Sequence, residues 1–212
     1  MRNVEIDENG VVTVKNVTIE KQTTIQDFLN TVRDMRPMNS PVLPDGCIQY
    51  ARHNGAEKFI IEERPGPRLI KYETQCKMYT NDAIVSMPWL YWVFRFTPSM
   101  HIRVRASQFR IRDLSEQTVR PPLLNMYEGG EGNMCVGSAV SVDARKPNAE
   151  RVTDFLGQVW ETIWQHDLTP SLPRECNTYL DYIEKSYEDP HLWARLSFTR
   201  SSTTLQDLID EQ

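Results

Sequence analysis

Apolar and polar positions alternate from the start of the chain: Val4 and Ile6, then Asp7-Glu8-Asn9-Gly10, then Val12, Val14, Val17 and Ile19. A period of two marks a strand with one buried face, and Asn-Gly readily takes the backbone angles of a tight hairpin turn. Residues 1–22 are therefore expected to form an N-terminal β-hairpin extension. The period then changes. Ile25, Phe28, Leu29, Val32 and Met35 fall on one helical stripe, with Thr24 as its cap, Asp27 in its first turn and Pro37 as its end.

A strand-rich middle follows. Cys47–Ala51 and Lys58–Glu62 flank Asn54-Gly55, a second hairpin signal, and Arg68–Tyr72 comes after Pro65-Gly66-Pro67. The run from Ala83 to Phe94 carries the densest apolar sequence, with Pro88 marking an edge or a break. Its aromatics are expected to pack as core rather than to serve as a binding platform. His101–Ala106 and Phe109–Ile111 close the series, which reads as an antiparallel meander with hairpin connections. In His101-Ile102-Arg103-Val104-Arg105 and Arg110-Ile111-Arg112 the arginines alternate with apolar residues, as on a strand with one solvated face rather than in a phosphate groove.

Beyond Cys135 the pattern is helical. Val152, Phe155, Leu156, Val159, Trp160, Ile163 and Trp164 share one broad stripe, which predicts a helix capped by Asn148, ending near His166-Asp167 and packed across a sheet. A second helix is expected from Thr178 to Tyr187 with Leu180 and Ile183 buried, a short one within 191–198, and an exposed, frayed terminal helix at 201–212 around Leu205, Leu208 and Ile209. From these elements alone the fold class is α+β. The main domain is expected to span 23–200, with 201–212 as a tail helix.

Composition narrows the function classes. The 212-residue chain carries a net charge of −5, which argues against a general nucleic-acid binder. The longest apolar run, Met87–Phe94, is too short to span a bilayer, so no membrane partner is expected. Met1-Arg2-Asn3-Val4-Glu5 lacks the apolar core of a signal peptide, and a cytoplasmic location with free thiols is the default. Cys47, Cys76, Cys135 and Cys176 form no CxxC pair and have no histidine at ligand spacing, so neither a metal nor another cofactor is expected.

One stretch stands apart: Leu124-Asn125-Met126-Tyr127-Glu128-Gly129-Gly130-Glu131-Gly132-Asn133-Met134-Cys135-Val136-Gly137. It sets a cysteine at the end of a glycine-rich loop, where a thiol is sheltered yet reachable and where a nucleophilic thiolate would be useful. The loop resembles the active-site loop of ubiquitin-conjugating enzymes, in which His-Pro-Asn, a turn and a glycine precede the thioester-forming cysteine. Leu123-Leu124-Asn125 stands in place of His-Pro-Asn, and the loop is slightly longer. The closer resemblance is to the bacterial prokaryotic ubiquitin-conjugating-like family D, which includes the B proteins of plasmid PRTRC systems and in which Asn-x-Tyr, a glycine and Val-Cys-x-Gly recur. Gly137 matches that version. The resemblance spans residues 25–170, and the loop is its specific part. It implies the ubiquitin-conjugating-like fold: an N-terminal helix, an antiparallel meander, the cysteine loop, a cross-sheet helix and C-terminal helices.

By the same resemblance Cys135 accepts the C-terminus of a ubiquitin-like protein from a ThiF-like activating enzyme, in a bacterial, phage or plasmid setting such as antiviral defence, often beside a JAB-type peptidase. Asn125 is the implied oxyanion donor, although an asparagine there also braces a turn. Asp167 corresponds to the acid that positions the attacking amine, or is a turn residue. His166 titrates near neutrality, or only complements a helix C-terminus. Glu128 and Glu131 oppose a low thiol pKa, which an already activated thioester tolerates. Two other functions stay open: a scaffold of the same fold in which Cys135 is idle, and a cysteine hydrolase pairing Cys135 with His101 or His166. Cys47, Cys76 and Cys176 read as packing cysteines.

Overall fold

The computed structural model describes residues 3–6, 11–16, 19–24, 42–53, 55–73, 80–127, 132–135, 140–165 and 171–211. The chain divides into two units, 1–42 and 43–212. In the first, β1 (Asn3–Ile6), β2 (Val11–Asn16) and β3 (Ile19–Thr24) pair antiparallel in chain order, so the expected hairpin gains a third strand. Thr24 ends that strand, and the helix expected after it lies outside the described residues.

In the second unit, β4 (Cys47–His53), β5 (Ala56–Glu63), β8 (Trp89–Thr97) and β9 (Ser99–Ser107) form a four-stranded antiparallel sheet in that order. This differs from a simple meander, because β6 (Gly66–Glu73) and β7 (Thr80–Met87) are inserted between the two central strands. The ladder Glu63↔Leu90 nevertheless passes to Gly66↔Met87 without a change of register. Residues 56–73 and 80–97 are thus one long hairpin, broken at Arg64-Pro65 and Pro88, where proline cannot donate to a ladder. Beyond the break the ribbon joins a second sheet, in which β10 (Ile163–Gln165) lies parallel to β6.

Alternation along the central strands makes two cores. Phe59, Ile61, Trp92, Phe94 and Phe96 face α1 (Asn148–Val159), which inserts Val152, Phe155 and Val159. The Phe155 ring meets Trp92 and Phe94 edge-on at centroid distances of 6.0 and 5.4 Å. Fully burying each such side chain contributes about 1.5–3 kcal/mol. Ile60, Tyr91 and Val93 face the other way, onto Leu205 and Leu208 of α3 (Leu205–Asp210). The run 83–94 is core on both faces.

Four expectations need correction. First, α1 stops at Val159 rather than near 166: Thr162 donates its hydroxyl to the Val159 carbonyl, and the β-favouring Ile163-Trp164 pair joins a sheet. Trp164 still reaches the core, because its ring stacks on Trp160 at 5.5 Å. Asn148 is the first helical residue rather than the cap. Its amide donates to Glu57, and its oxygen accepts from Arg151. Second, α2 (Tyr179–Glu188), capped by Thr178, buries Tyr179, Tyr182 and Ser186 and leaves Leu180 exposed. The tyrosine rings engage Tyr72 and each other, and the Tyr182 hydroxyl donates to the Ser86 carbonyl, which turns the tyrosine stripe inward.

Third, the terminal helix is docked rather than exposed. Leu205 and Leu208 are buried, Thr204 and Asp207 form a capping box, and Lys58 donates to the Leu208 and Ile209 carbonyls at 3.3 and 2.6 Å. Fourth, Arg105 is buried: its guanidinium donates to Thr203 at 2.6 Å and to the Val104 carbonyl at 3.2 Å. The short helix expected within 191–198 is a 3₁₀ turn at Leu192–Arg195.

Candidate functional site

The cysteine loop is built as an annex to the sheet. Asn133 bridges Arg103 of β9, with Val104 N–H donating to the Gly132 carbonyl at 2.8 Å and Met134 N–H to the Ile102 carbonyl at 3.1 Å. On its far side the same segment pairs with the start of the loop: Met126 bridges Met134, Tyr127 N–H donates to the Asn133 carbonyl at 3.0 Å, and Cys135 N–H to the Asn125 carbonyl at 2.7 Å. Residues 125–127 and 133–135 are therefore two short strands laid along the edge of β9. Val119 bridges the same strand at Ala106, so the row of backbone groups along this edge is occupied.

Two backbone positions hold the annex in place. Gly132 has φ +73°, and a Cβ there would stand 2.1 Å from the Arg105 Nη1 and 2.3 Å from the Val104 carbonyl oxygen. Only glycine permits so close an approach to the buried arginine. Asn125 has φ +58°, in the left-handed region that asparagine tolerates better than most residues. Its backbone role is thus explicit: it turns the chain into the annex and offers its carbonyl to Cys135.

Alternation then sorts the side chains. Met126 and Met134 are buried, and this places Asn125, Tyr127, Asn133 and Cys135 on the opposite face of the annex. Asn125 is the cross-strand neighbour of Cys135. Tyr127 is its diagonal neighbour, within reach for a long side chain. The Cys135 sulfur beside it pushes the Tyr127 phenol above its ordinary value. Tyr127 is 51% exposed and Cys135 half-buried, so the sulfur is sheltered on one side and open to approach. The Asn133 side-chain oxygen accepts from Arg103 Nε at 2.9 Å, fixing this face to β9.

The structure thus brings Cys135 and Asn125 together. His166 and Asp167 lie outside the described residues, as do Glu128, Glu131 and Gly137. His101 is exposed on β9 and lines, with Tyr127, a cleft of about 500 Å³ beside the annex. In the sequence Tyr127 stands only as part of the Asn-x-Tyr motif, with no role of its own. The triplets Asn-Met-Tyr and Asn-Met-Cys share a buried central methionine, which places their outer residues on one face once the two segments pair.

The other described thiols are placed for packing. Burial pushes both Cys47 and Cys176 up from the ordinary thiol value. Cys176 lies in the main core, and Cys47 donates to the Gln49 carbonyl. Cys76 lies outside the described residues. Among the described residues no group of three or more His, Cys, Asp or Glu side chains converges to hold a metal, and no helix is long and apolar enough to cross a membrane. Comparison of the chain with protein-family models, with curated proteins and with solved structures finds no match.

Proposed function

We propose that this protein is a thiol carrier of the ubiquitin-conjugating-like type, which accepts a ubiquitin-like protein as a thioester on Cys135 and passes it to an amine. The observation that carries the reading is the juxtaposition of a half-buried thiol with Tyr127 and the Asn125 turn on a strand annex hydrogen-bonded to β9. The resemblance of the Asn125–Gly137 loop supports the same reading.

The chemistry is an exchange followed by a transfer. The Cys135 thiolate attacks the thioester carbonyl of the charged activating enzyme; a new C–S bond forms, and the donor sulfur leaves and takes a proton. The acceptor amine then attacks the new thioester, its proton passes to a base, and Cys135 departs as thiolate. A hydroxyl already at the sulfur favours that departure, because a donated hydrogen bond stabilises the charged form. Tyr127 fills this role. The Asn125 side chain is assigned to the oxyanion, and Asp167 with His166 to the acceptor amine, by the family resemblance. A ubiquitin-like protein, a ThiF-like activating enzyme and a JAB-type peptidase are the partners that follow.

The test is a charging reaction with ATP, a ThiF-like activating enzyme and its ubiquitin-like protein, resolved on a non-reducing gel. The expected result is an adduct of one modifier that collapses with thiol reductant, is lost in Cys135→Ala and is discharged more slowly to a free amine in Tyr127→Phe. A charged activating enzyme that never forms this adduct overturns the reading and leaves a scaffold of the same architecture.

A further inference from the structure

The cleft beside the annex has features that the chemistry of Cys135 does not use. It encloses about 500 Å³ between β8, β9, Asn133-Met134 and the end of α3, the size of a small-molecule site. Cross-strand pairing sets Lys58, Arg95 and His101 in one row over three strands, and Arg103 lies two residues beyond His101 on the same face. Lys58 is 6% exposed and is held by the carbonyls at the end of α3. Arg95 and Arg103 each keep about a quarter of their side-chain surface accessible, at 26%.

Glu211, which follows α3, faces these cations. Its Oε2 lies 2.7 Å from Arg103 Nη1, and its Oε1 accepts from Arg103 Nη2 at 3.1 Å. It serves Arg95 poorly: Oε2 is 3.8 Å from Arg95 Nη1, beyond hydrogen-bonding range. Arg95 Nε is buried and meets no acceptor among the described residues. A single carboxylate therefore satisfies one guanidinium of two. Asp210 adds negative charge near Lys58, yet the three cations Lys58, Arg95 and Arg103 outnumber the two carboxylates Asp210 and Glu211 that face them. Two guanidinium groups that share one carboxylate form a receptor with one place unfilled.

We propose that this cleft binds a small dicarboxylate, with Arg95 and Arg103 as the receptor and Glu211 as an internal occupant that the ligand displaces. One carboxylate takes the position of Glu211 on Arg103 and the other reaches Arg95. The Glu211 side chain can rotate away without disturbing the core, because it is 42% exposed while the Glu211 backbone stays held, its carbonyl accepting from Lys58 and its N–H donating to the Asp207 carbonyl. Tyr127, Asn133 and Met134 form the wall the cleft shares with the annex, so a bound ligand would lie next to the diagonal neighbour of Cys135.

The experiment is calorimetric titration of the full chain with succinate, and separately with inorganic phosphate. Glu211→Gln is expected to bind succinate about ten-fold more tightly than wild type, since an apparent affinity falls in proportion to the fraction of sites left open. Arg95→Gln keeps the Arg103–Glu211 pair, and it is expected to lose succinate binding at least ten-fold. If Glu211→Gln does not fold, Arg95→Gln decides alone. Equal affinity in wild type and folded Glu211→Gln, undiminished binding in Arg95→Gln, no succinate binding by any folded variant, or tighter binding of phosphate than of succinate each overturns the proposal.

Discussion

The carboxylate of Glu63 accepts the indole N–H of Trp160 at 3.0 Å, joining the last residue of β5 to the residue that caps the C-terminus of α1. The same carboxylate accepts from Trp92 Nε1 at 2.8 Å and from Arg68 Nε at 2.7 Å. It therefore ties together the sheet, the helix and the strand beyond the break in the ribbon. Trp92 is fully buried, so its donor has no water to turn to. Glu63→Ala is expected to lower stability by about 2–4 kcal/mol, because two indole donors lose their acceptor at once. Glu63→Gln keeps an acceptor and is expected to lose less. Urea unfolding of the three proteins checks both, and equal stability of Glu63→Ala and wild type would remove Glu63 from this role.

Gly132→Ala tests the annex. The added methyl collides with the Arg105 guanidinium and the Val104 carbonyl while the backbone keeps a positive φ. A loss of at least about 2 kcal/mol is expected if the native loop is retained. If instead the loop detaches from β9, global stability changes less, and amide exchange at Val104 and Met134 accelerates. Hydrogen-exchange mass spectrometry distinguishes the two, and unchanged exchange with unchanged stability would contradict the packing described.

Alkylation rates test the placement of the thiols. Near neutral pH iodoacetamide is expected to modify Cys135 before Cys47 and Cys176, which burial keeps as thiols. Peptide mapping by mass spectrometry reads the order. Cys135→Ala removes the sulfur that holds the Tyr127 phenol above its ordinary value and is expected to bring that phenol's titration down. NMR titration of the tyrosine rings reads this, and an unmoved Tyr127 would show that the sulfur does not act on the phenol.

Acid stability has a worked-out direction. Backbone and hydroxyl donors from Thr204 hold Asp207 below the ordinary carboxylate value, and the Asn177 N–H with Lys185 does the same for Asp181. For a depressed carboxylate the unfolded chain takes up protons first. The contribution is thus complete above the ordinary carboxylate value, about 4, and is lost as pH falls through the lower folded value. The melting temperature is expected to fall below about pH 4. Asp207→Asn should flatten part of that slope while lowering stability at neutral pH. A slope identical to wild type would exclude Asp207 as a contributor.

The elements that local periodicity defines were legible. The paired strands around Asn54-Gly55, the buried run 83–94 and the stripe Val152-Phe155-Val159 all follow from spacing and propensity. What escaped depends on partners distant in the chain. Thr203 is the acceptor that allows Arg105 to be buried, and 98 residues separate the two. Ser86 draws Tyr182 inward across 96 residues, so the tyrosine side of α2 wins over Leu180. Trp164 sits in the core as a strand residue, because stacking on Trp160 fits either reading of the same stripe. At the annex, the pairing of Asn125 with Cys135 depends on the turn at Asn125 and on a glycine chosen for Arg105, neither of which a period reveals.

The unbroken register of the ribbon 56–73/80–97 makes it a single ruler for both sheets. Strand faces alternate residue by residue, so a slip of one position in Gly66–Met87 would be handed on to Phe59, Trp92 and Phe94 and would exchange the α1 side of the sheet for the α3 side. An inserted residue on one arm of the ribbon must therefore be absorbed at the Pro65/Pro88 break or be felt in both cores. That makes the break, far along the chain from Cys135, the place where length errors are isolated from the strand edge on which the thiol stands.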